Sequence, residues 1–109
     1  MKLPNGNRAI IDARKLQEYC LNTDHPRGRN KARVFASVGI RQAQAEELRK
    51  AIQAAAENSD ARLGSATPYG QRYIVDFDLV RDARTVRVRS TWIVRIGEDF
   101  PRLTSCYVL

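Results

Sequence analysis

The order of apolar and polar residues divides the chain into a helical first half and a strand-rich second half. Apolar residues recur three or four positions apart in three stretches, and each repeat predicts a helix. The first stretch begins after Asp12, a residue type that caps helices, and ends at Asn22. The second surrounds Ala32 to Val38, where a strand is the alternative, and the third runs from Ala45 to Ala55.

The period changes to two after a predicted loop at Gly64 to Gly70. The alternation then predicts three strands, Tyr73 to Leu79, Thr85 to Ile96 and Leu103 to Leu109. Because the links are short, the strands are expected to form an antiparallel meander with the helices on one face. The sequence thus predicts one α+β domain, residues 1–109. In it, two to three N-terminal helices (about 12–58) pack on a C-terminal antiparallel sheet of three to four strands (about 70–109).

The alternation also assigns charged residues to faces of the sheet. Arg87, Arg89 and Arg95 fall on one face of the middle strand. Asp76 and Asp78 share a face of the strand before it. Opposite charges on neighbouring strands predict cross-strand ion pairs, with an excess of arginine left over.

The other face of the middle strand carries Ser90 and Trp92. Ser105 and Tyr107 of the last strand are expected to share that face with them, among aliphatic residues. A tryptophan and a tyrosine of this kind belong to a core by default. The floor of a cleft is the alternative interpretation.

The charge of the chain indicates the kind of molecule that it binds. The chain has 19 Lys and Arg against 12 Asp and Glu, a net charge of +7, and 15 of the cations are Arg. Arginine binds phosphate and carboxylate groups in bidentate fashion, so the sequence favours a polyanion over a neutral small molecule. A basic surface without a specific partner is the alternative. The hydrophobic share of 43% is that of an ordinary globular chain, which excludes compositional disorder.

Few residues are available for metal chemistry. Cys20, Cys106 and a single histidine are too few and too scattered for a zinc site, so no metal and no cofactor is predicted. No apolar run is long enough for a signal peptide or a membrane span. We therefore expect a cytoplasmic protein without a membrane partner, unless a larger chain delivers it. The sequence does not indicate an oligomeric state.

The densest polar cluster leads from a loop with proline and glycine into the second helix. It contains His25, Arg27, Arg29, Lys31 and Arg33. Free N–H groups at a helix start add to these cations in attracting phosphate. His25 is the only histidine and the natural acid–base candidate near neutral pH. A solvated basic loop with an incidental histidine is the alternative.

Four blocks of the sequence resemble a family of small bacterial domains of unknown function: HPRGRNKARVF, YGQRYIVDFDL, VRSTWIVRIGED and PRLTSCYVL. The pattern H-P-x-G-x-x-K-A-x-x-F is matched from His25 to Phe35, R-[ST]-x-W from Arg89 to Trp92, and P-R-L-x-[ST]-x-Y from Pro101 to Tyr107. The chain departs from its relatives at the middle hairpin, where VRDAR stands in place of a G-P-x-G turn. Members look like stand-alone proteins or C-terminal modules of polymorphic toxins. Their arrangement is similar to that of barnase, colicin and RelE-type ribonuclease toxins.

The resemblance implies a toxin-type ribonuclease that cleaves RNA without a metal, by attack of the 2'-hydroxyl on the neighbouring phosphate. It implies His25 as acid or base, Lys31 and Arg89 as phosphate ligands, and Ser105 and Tyr107 as positioning groups. The predicted RNA-binding residues are Arg27, Arg29, Arg33 and Arg102. A small acidic antitoxin or immunity protein is the expected partner besides RNA. The alternatives are a non-enzymatic basic module that binds an acidic protein or nucleic acid, and an antitoxin or inactive relative.

Overall fold

The computed structural model describes residues Met1 to Leu109 and has three helices before four strands. Helix α1 begins with the turn Ala13–Lys15 and widens into a π-helical turn, Leu16–Cys20. Helix α2 spans Arg29–Ser37 and α3 spans Ala45–Asn58. The strands are β1 (Arg62–Thr67), β2 (Gly70–Arg81), β3 (Arg84–Arg95) and β4 (Arg102–Val108). The predicted α+β class, with the helices first, is confirmed.

Local residues explain where α1 begins and which face of α2 is buried. The Asp12 carboxylate accepts a hydrogen bond of 2.9 Å from the backbone N–H of Arg14, which confirms Asp12 as the cap of α1. Helix α2 begins at Arg29, ahead of the first apolar residue of its pattern. Its buried side chains are Ala32 and Phe35, so the cations of this segment lie on the outer faces of a helix.

The four strands are ordered β1-β2-β3-β4, with each neighbouring pair antiparallel, so the predicted meander is confirmed. The predicted loop at 64–70 is wrong, because β1 occupies most of it and the sheet begins at Arg62. Strand β1 lies at the edge of the sheet and buries none of its side chains, and its register shifts between Leu63 and Ala66. An edge strand without a buried face has no apolar alternation that a sequence pattern could reveal.

Strand β4 contains an irregularity that changes which of its side chains face inward. Thr91 of β3 lies opposite Ser105, but the next residue, Trp92, lies opposite Leu103. Thr104 is therefore an extra residue in β4, a β-bulge.

Because of the bulge, the face predicted for Ser105 and Tyr107 is wrong. Ser105 and Tyr107 do not share the face of Ser90 and Trp92, because the bulge inserts one residue into a period of two. Cys106 takes the inward position opposite Ser90 and is buried.

The helices pack on one face of the sheet, and the core lies between them. Trp92 and Phe35 are completely buried there. The buried Ser90 hydroxyl accepts a 2.9 Å hydrogen bond from the Trp92 indole N–H and donates a 2.8 Å bond to the Val75 carbonyl. The opposite face, which we call the open face, carries charged and polar side chains together with Ile74 and Ile93. None of the helices has the length and apolar character that a membrane crossing requires.

Candidate functional site

Three of the predicted catalytic side chains meet where α2 passes β4. The Lys31 ammonium nitrogen lies 4.2 Å from the centre of the Tyr107 ring. Arg89 is the residue opposite Tyr107 across the β3–β4 pairing. The pKa of Arg89 is raised, first by its hydrogen bonds with Asp76 and further by the Tyr107 hydroxyl. We call Lys31, Tyr107 and Arg89 the α2–β4 cluster.

Arg89 is shared between this cluster and a carboxylate. Its Nε and Nη2 donate to the two Asp76 oxygens at 2.8 and 2.9 Å. Asp76 also accepts a 3.2 Å hydrogen bond from Arg62, and its pKa is lowered, chiefly by the bonds from Arg89. Arg87 bonds Asp78 at 3.1 Å, so both predicted cross-strand ion pairs are confirmed. The Nη1 group of Arg89 is left for a further acceptor.

The hydroxyl of Ser105 lies below the surface of the open face. Its oxygen is buried and has no hydrogen-bond partner. The neighbouring hydroxyls of Thr91 and Thr104 are 2.6 Å apart and bond each other instead. The Ser105 hydroxyl is therefore not exposed to a substrate on this face, whereas the ring of Tyr107 contacts Lys31.

His25 organises the turn that leads into α2. Its Nδ1 accepts hydrogen bonds of 3.1 Å from the backbone N–H groups of Arg27 and Gly28. The ring meets that of Tyr19 edge-on, with 4.7 Å between the ring centres. A side chain at Gly28 would place its first carbon 2.7 Å from the Tyr19 carbonyl oxygen, so only glycine allows this close approach. Because Nδ1 is an acceptor, the neutral ring carries its hydrogen on Nε2 and offers a donor there.

An open depression of about 530 Å³ lies beside His25. Its lining residues are Asp12, Arg14, Lys15, Glu18, Tyr19, His25 and Thr104. The Lys15 ammonium group donates a 3.3 Å hydrogen bond to the carbonyl of Thr104, which ties α1 to the bulge in β4. Thr104 and Tyr107 are three residues apart on one strand, a separation of roughly 10 Å. Strand β4 therefore contributes Thr104 to the depression beside His25 and Tyr107 to the α2–β4 cluster.

A family model described as "Domain of unknown function (DUF6883)" matches residues 2–109. The chain belongs to this family. No curated protein and no solved structure matches it.

The predicted RNA-binding arginines of this DUF6883 chain differ in whether a carboxylate neutralises them. Arg27, Arg29 and Arg33 are exposed, and none of them takes part in an ion pair. Arg102 instead donates two hydrogen bonds, of 3.0 and 2.9 Å, to the Glu98 carboxylate. The uncompensated positive charge near the site therefore lies on the turn and helix from Arg27 to Arg33, not on β4.

Two contributors to the DUF6883 site were missed in the sequence. In the sequence, Tyr19 occupies an apolar position of the first helix. In the structure, its ring contacts His25. Thr104 reads as an ordinary strand residue, yet it is the bulge that lines the depression. No pattern of residue types marks a bulge at Thr104, because it depends on the pairing of two strands. No three His, Cys, Asp or Glu side chains come together as a metal site would need.

Proposed function

We propose that this DUF6883 chain is a toxin-type ribonuclease that binds RNA along α2 and β4 and cleaves it without a metal. The observation that carries the proposal is the contact of the Lys31 ammonium group with the Tyr107 ring, with Arg89 opposite Tyr107 across the strand pairing. A side chain whose hydroxyl can donate or accept a proton is thereby grouped with two cations that can bind a phosphate. The unpaired Arg27, Arg29 and Arg33 extend the same basic surface.

The proposed reaction breaks one bond at phosphorus, forms another, and includes two proton transfers. The 2'-oxygen of a ribose bonds to the adjacent phosphorus while the bond from phosphorus to the 5'-oxygen breaks. The 2'-hydroxyl loses its proton to a base, and the leaving 5'-oxygen gains one from an acid. The products are a 2',3'-cyclic phosphate and a 5'-hydroxyl. Lys31 and Nη1 of Arg89 would stabilise the charge on the phosphoryl oxygens, and the Tyr107 hydroxyl is the group nearest to them for proton transfer.

His25 has a more limited role in this proposal than the resemblance implies. Protonating the ring at Nδ1 would break its hydrogen bonds with the Arg27 and Gly28 N–H groups. In this arrangement Nε2–H can donate to a phosphate oxygen bound in the depression that His25 lines. His25 thus binds and orients the RNA strand, and proton transfer is assigned first to Tyr107.

The test is cleavage of total RNA and tRNA by the purified protein in EDTA. Wild type should produce fragments that end in a cyclic phosphate, detectable by their resistance to 3'-end ligation until acid opens the ring and a phosphatase then removes the resulting monophosphate. Tyr107→Phe and Lys31→Ala should each slow cleavage by about 100-fold or more. Lys50→Ala, which removes an equal charge from the exposed face of α3, is the matched control and should cleave like wild type. Intact RNA with wild type, or equal rates for Tyr107→Phe and wild type, would refute the proposal.

A second candidate is a binding module that does not cleave RNA. Two observations favour it: Nδ1 of His25 is occupied by backbone N–H groups, and Asp76 engages two of the Arg89 donors. Under this reading, RNA stays intact and Tyr107→Phe binds it as tightly as wild type. Loss of binding on removal of Lys31 would be common to both candidates, so cleavage of RNA by wild type, and its loss in Tyr107→Phe, is the result that separates them.

We also propose a small acidic protein as the natural antagonist of this surface, since an antitoxin or immunity protein must cover the cations that RNA uses. Induced expression should then arrest growth of the host. Co-expression of an acidic protein encoded next to the gene should relieve the arrest. Growth arrest by wild type but not by Tyr107→Phe would connect toxicity to the α2–β4 cluster, and normal growth under wild-type expression would exclude toxicity in that host.

A further inference from the structure

A second feature of the open face lies at the turn between β1 and β2. The Tyr69 side chain is 78% exposed, and the neighbouring Ile96 is 76% exposed. The backbones of the two residues are linked, because the Tyr69 carbonyl accepts a 3.0 Å hydrogen bond from the Ile96 N–H. Both residues line one groove, and exposed apolar side chains grouped in this way can form a surface that a partner covers.

The turn that carries Tyr69 is held in place rather than loose. The Thr67 hydroxyl accepts a hydrogen bond from the Tyr69 N–H at 3.2 Å and donates one to the Gly70 carbonyl at 3.1 Å. Gly70 packs against β3 so closely that a side chain would place its first carbon 2.1 Å from the Val94 carbonyl oxygen. An aromatic ring on a fixed turn loses little conformational entropy when a ligand stacks on it.

Two arginines flank the ring. Arg72 lies opposite Ile93 and Arg95 lies opposite Gly70 across the β2–β3 pairing. Both are exposed, and neither belongs to an ion pair. The groove that they line with Tyr69 has a volume of about 800 Å³ and contains no carboxylate. Unlike Arg87 and Arg89 on the same face, these two cations keep their full charge for a ligand.

We propose that this groove, which we call the Tyr69 groove, binds an unpaired nucleobase and the phosphates on either side of it. The base stacks on the Tyr69 ring, the aliphatic side chain of Ile93 forms the floor, and Arg72 and Arg95 bind the phosphates. A base inside a duplex has no free face, so the groove selects single strands and reads little sequence. The inference rests on the proposed function, because the occupant is a flanking part of the same RNA strand.

Continuity of the surface supports one strand as the occupant of both sites. Thr104 lines the depression beside His25 and also lines the Tyr69 groove. A strand bound at His25 can therefore cross the bulge in β4 and continue onto the open face. An acidic polypeptide would satisfy Arg72 and Arg95 equally well, but it would leave the Tyr69 ring without a stacking partner.

The test is binding of a fluorescent single-stranded RNA of about ten nucleotides whose 2'-hydroxyls are methylated, so that it binds but lacks the nucleophile for cleavage. Tyr69→Ala should weaken binding by about ten-fold or more, while Tyr69→Phe, which keeps the ring, should bind like wild type. The double variant Arg72→Ala, Arg95→Ala should lower the slope of log affinity against log salt by about 1.4. Leu63→Ala and Arg84→Ala, exposed positions elsewhere on the sheet, are the matched controls.

Three outcomes would overturn the inference. One is a Tyr69→Ala affinity within two-fold of wild type. Another is equal affinity for a duplex of the same sequence. The last is competition by polyglutamate that equals that of RNA and does not depend on Tyr69. Cleavage of unmodified RNA is scored separately: Tyr69-dependent binding without cleavage supports the groove and refutes the ribonuclease. Cleavage together with binding that does not depend on Tyr69 supports the ribonuclease and refutes the groove.

Discussion

The ammonium group of Lys31 lies over the ring of Tyr107, 4.2 Å from its centre, and this contact joins α2 to the edge strand β4. A cation–π contact at a partly exposed site contributes about 0.5–1 kcal/mol. Lys31 is exposed and belongs to no ion pair, so its ammonium group can also bind a phosphate. Lys31 therefore has a modest structural role and a larger one in recognising an anion.

Replacing Lys31 by Met separates these two roles. Met keeps an apolar stem of similar length against Tyr107 but removes the charge, so the free energy of unfolding should fall by about 1 kcal/mol at most. The affinity for single-stranded RNA should fall, and the slope of log affinity against log salt should decrease by about 0.7, the value for one phosphate contact. Titrations at several salt concentrations measure this. Lys50→Met is the control, and an equal change in its slope would show that Lys31 acts only through net charge.

His25 is expected to act through both of its ring nitrogens, and two substitutions distinguish them. His25→Ala leaves the Arg27 and Gly28 N–H groups without their acceptor and should destabilise the fold by about 1 kcal/mol. His25→Asn restores an acceptor at the position of Nδ1 but lacks Nε2. It should therefore recover most of the stability while RNA binding stays weak. Thermal unfolding and RNA titrations of both variants provide the measurements. Full recovery of binding in His25→Asn would limit His25 to a structural role.

Sequence patterns were sufficient for the fold wherever one face of an element is buried. Helix α3 and strands β2 and β3 have this property, and their periods of 3.6 and 2 predicted them directly. Strand β1 buries no face and was missed. The cation-rich turn was found from its composition, but the position of His25 against Tyr19 depends on the close approach at Gly28.

The candidate site was predictable in its members but not in its arrangement. The sequence motifs named Lys31, Arg89 and Tyr107, and these three are brought together. The face on which Tyr107 lies was predicted wrongly, because one extra residue at Thr104 reverses the alternation after it. A bulge is a property of two paired strands, so the sequence of β4 alone cannot reveal it.

The ion pair of Asp76 with Arg89 predicts a specific loss of stability in acid. The pKa of Asp76 is lowered by its hydrogen bonds with Arg89, so the folded state favours the carboxylate. This stabilisation is present above the unfolded-state value of about 3.9 and is lost as the pH falls through the lower folded-state value. Asp76→Asn should be less stable than wild type at neutral pH, and the difference should shrink between about pH 5 and about pH 2. Urea unfolding across this range measures it, with Asp24→Asn, an exposed carboxylate outside any ion pair, as the control. A constant difference at every pH would contradict the linkage.

The Ser90 hydroxyl supports Trp92 in the centre of the core, and its removal should have a larger effect than its size suggests. The hydroxyl accepts from the Trp92 indole N–H and donates to the Val75 carbonyl, and all of these groups are buried. In Ser90→Ala the indole N–H loses its partner where water cannot replace it, so the free energy of unfolding should fall by about 1–3 kcal/mol. Ser65→Ala, on the exposed strand β1, loses the same hydroxyl without a buried partner and should change stability by no more than about 0.5 kcal/mol. Urea unfolding of the two variants gives the comparison. Equal stabilities of Ser90→Ala and wild type would mean that the indole N–H finds another acceptor, and would contradict the prediction.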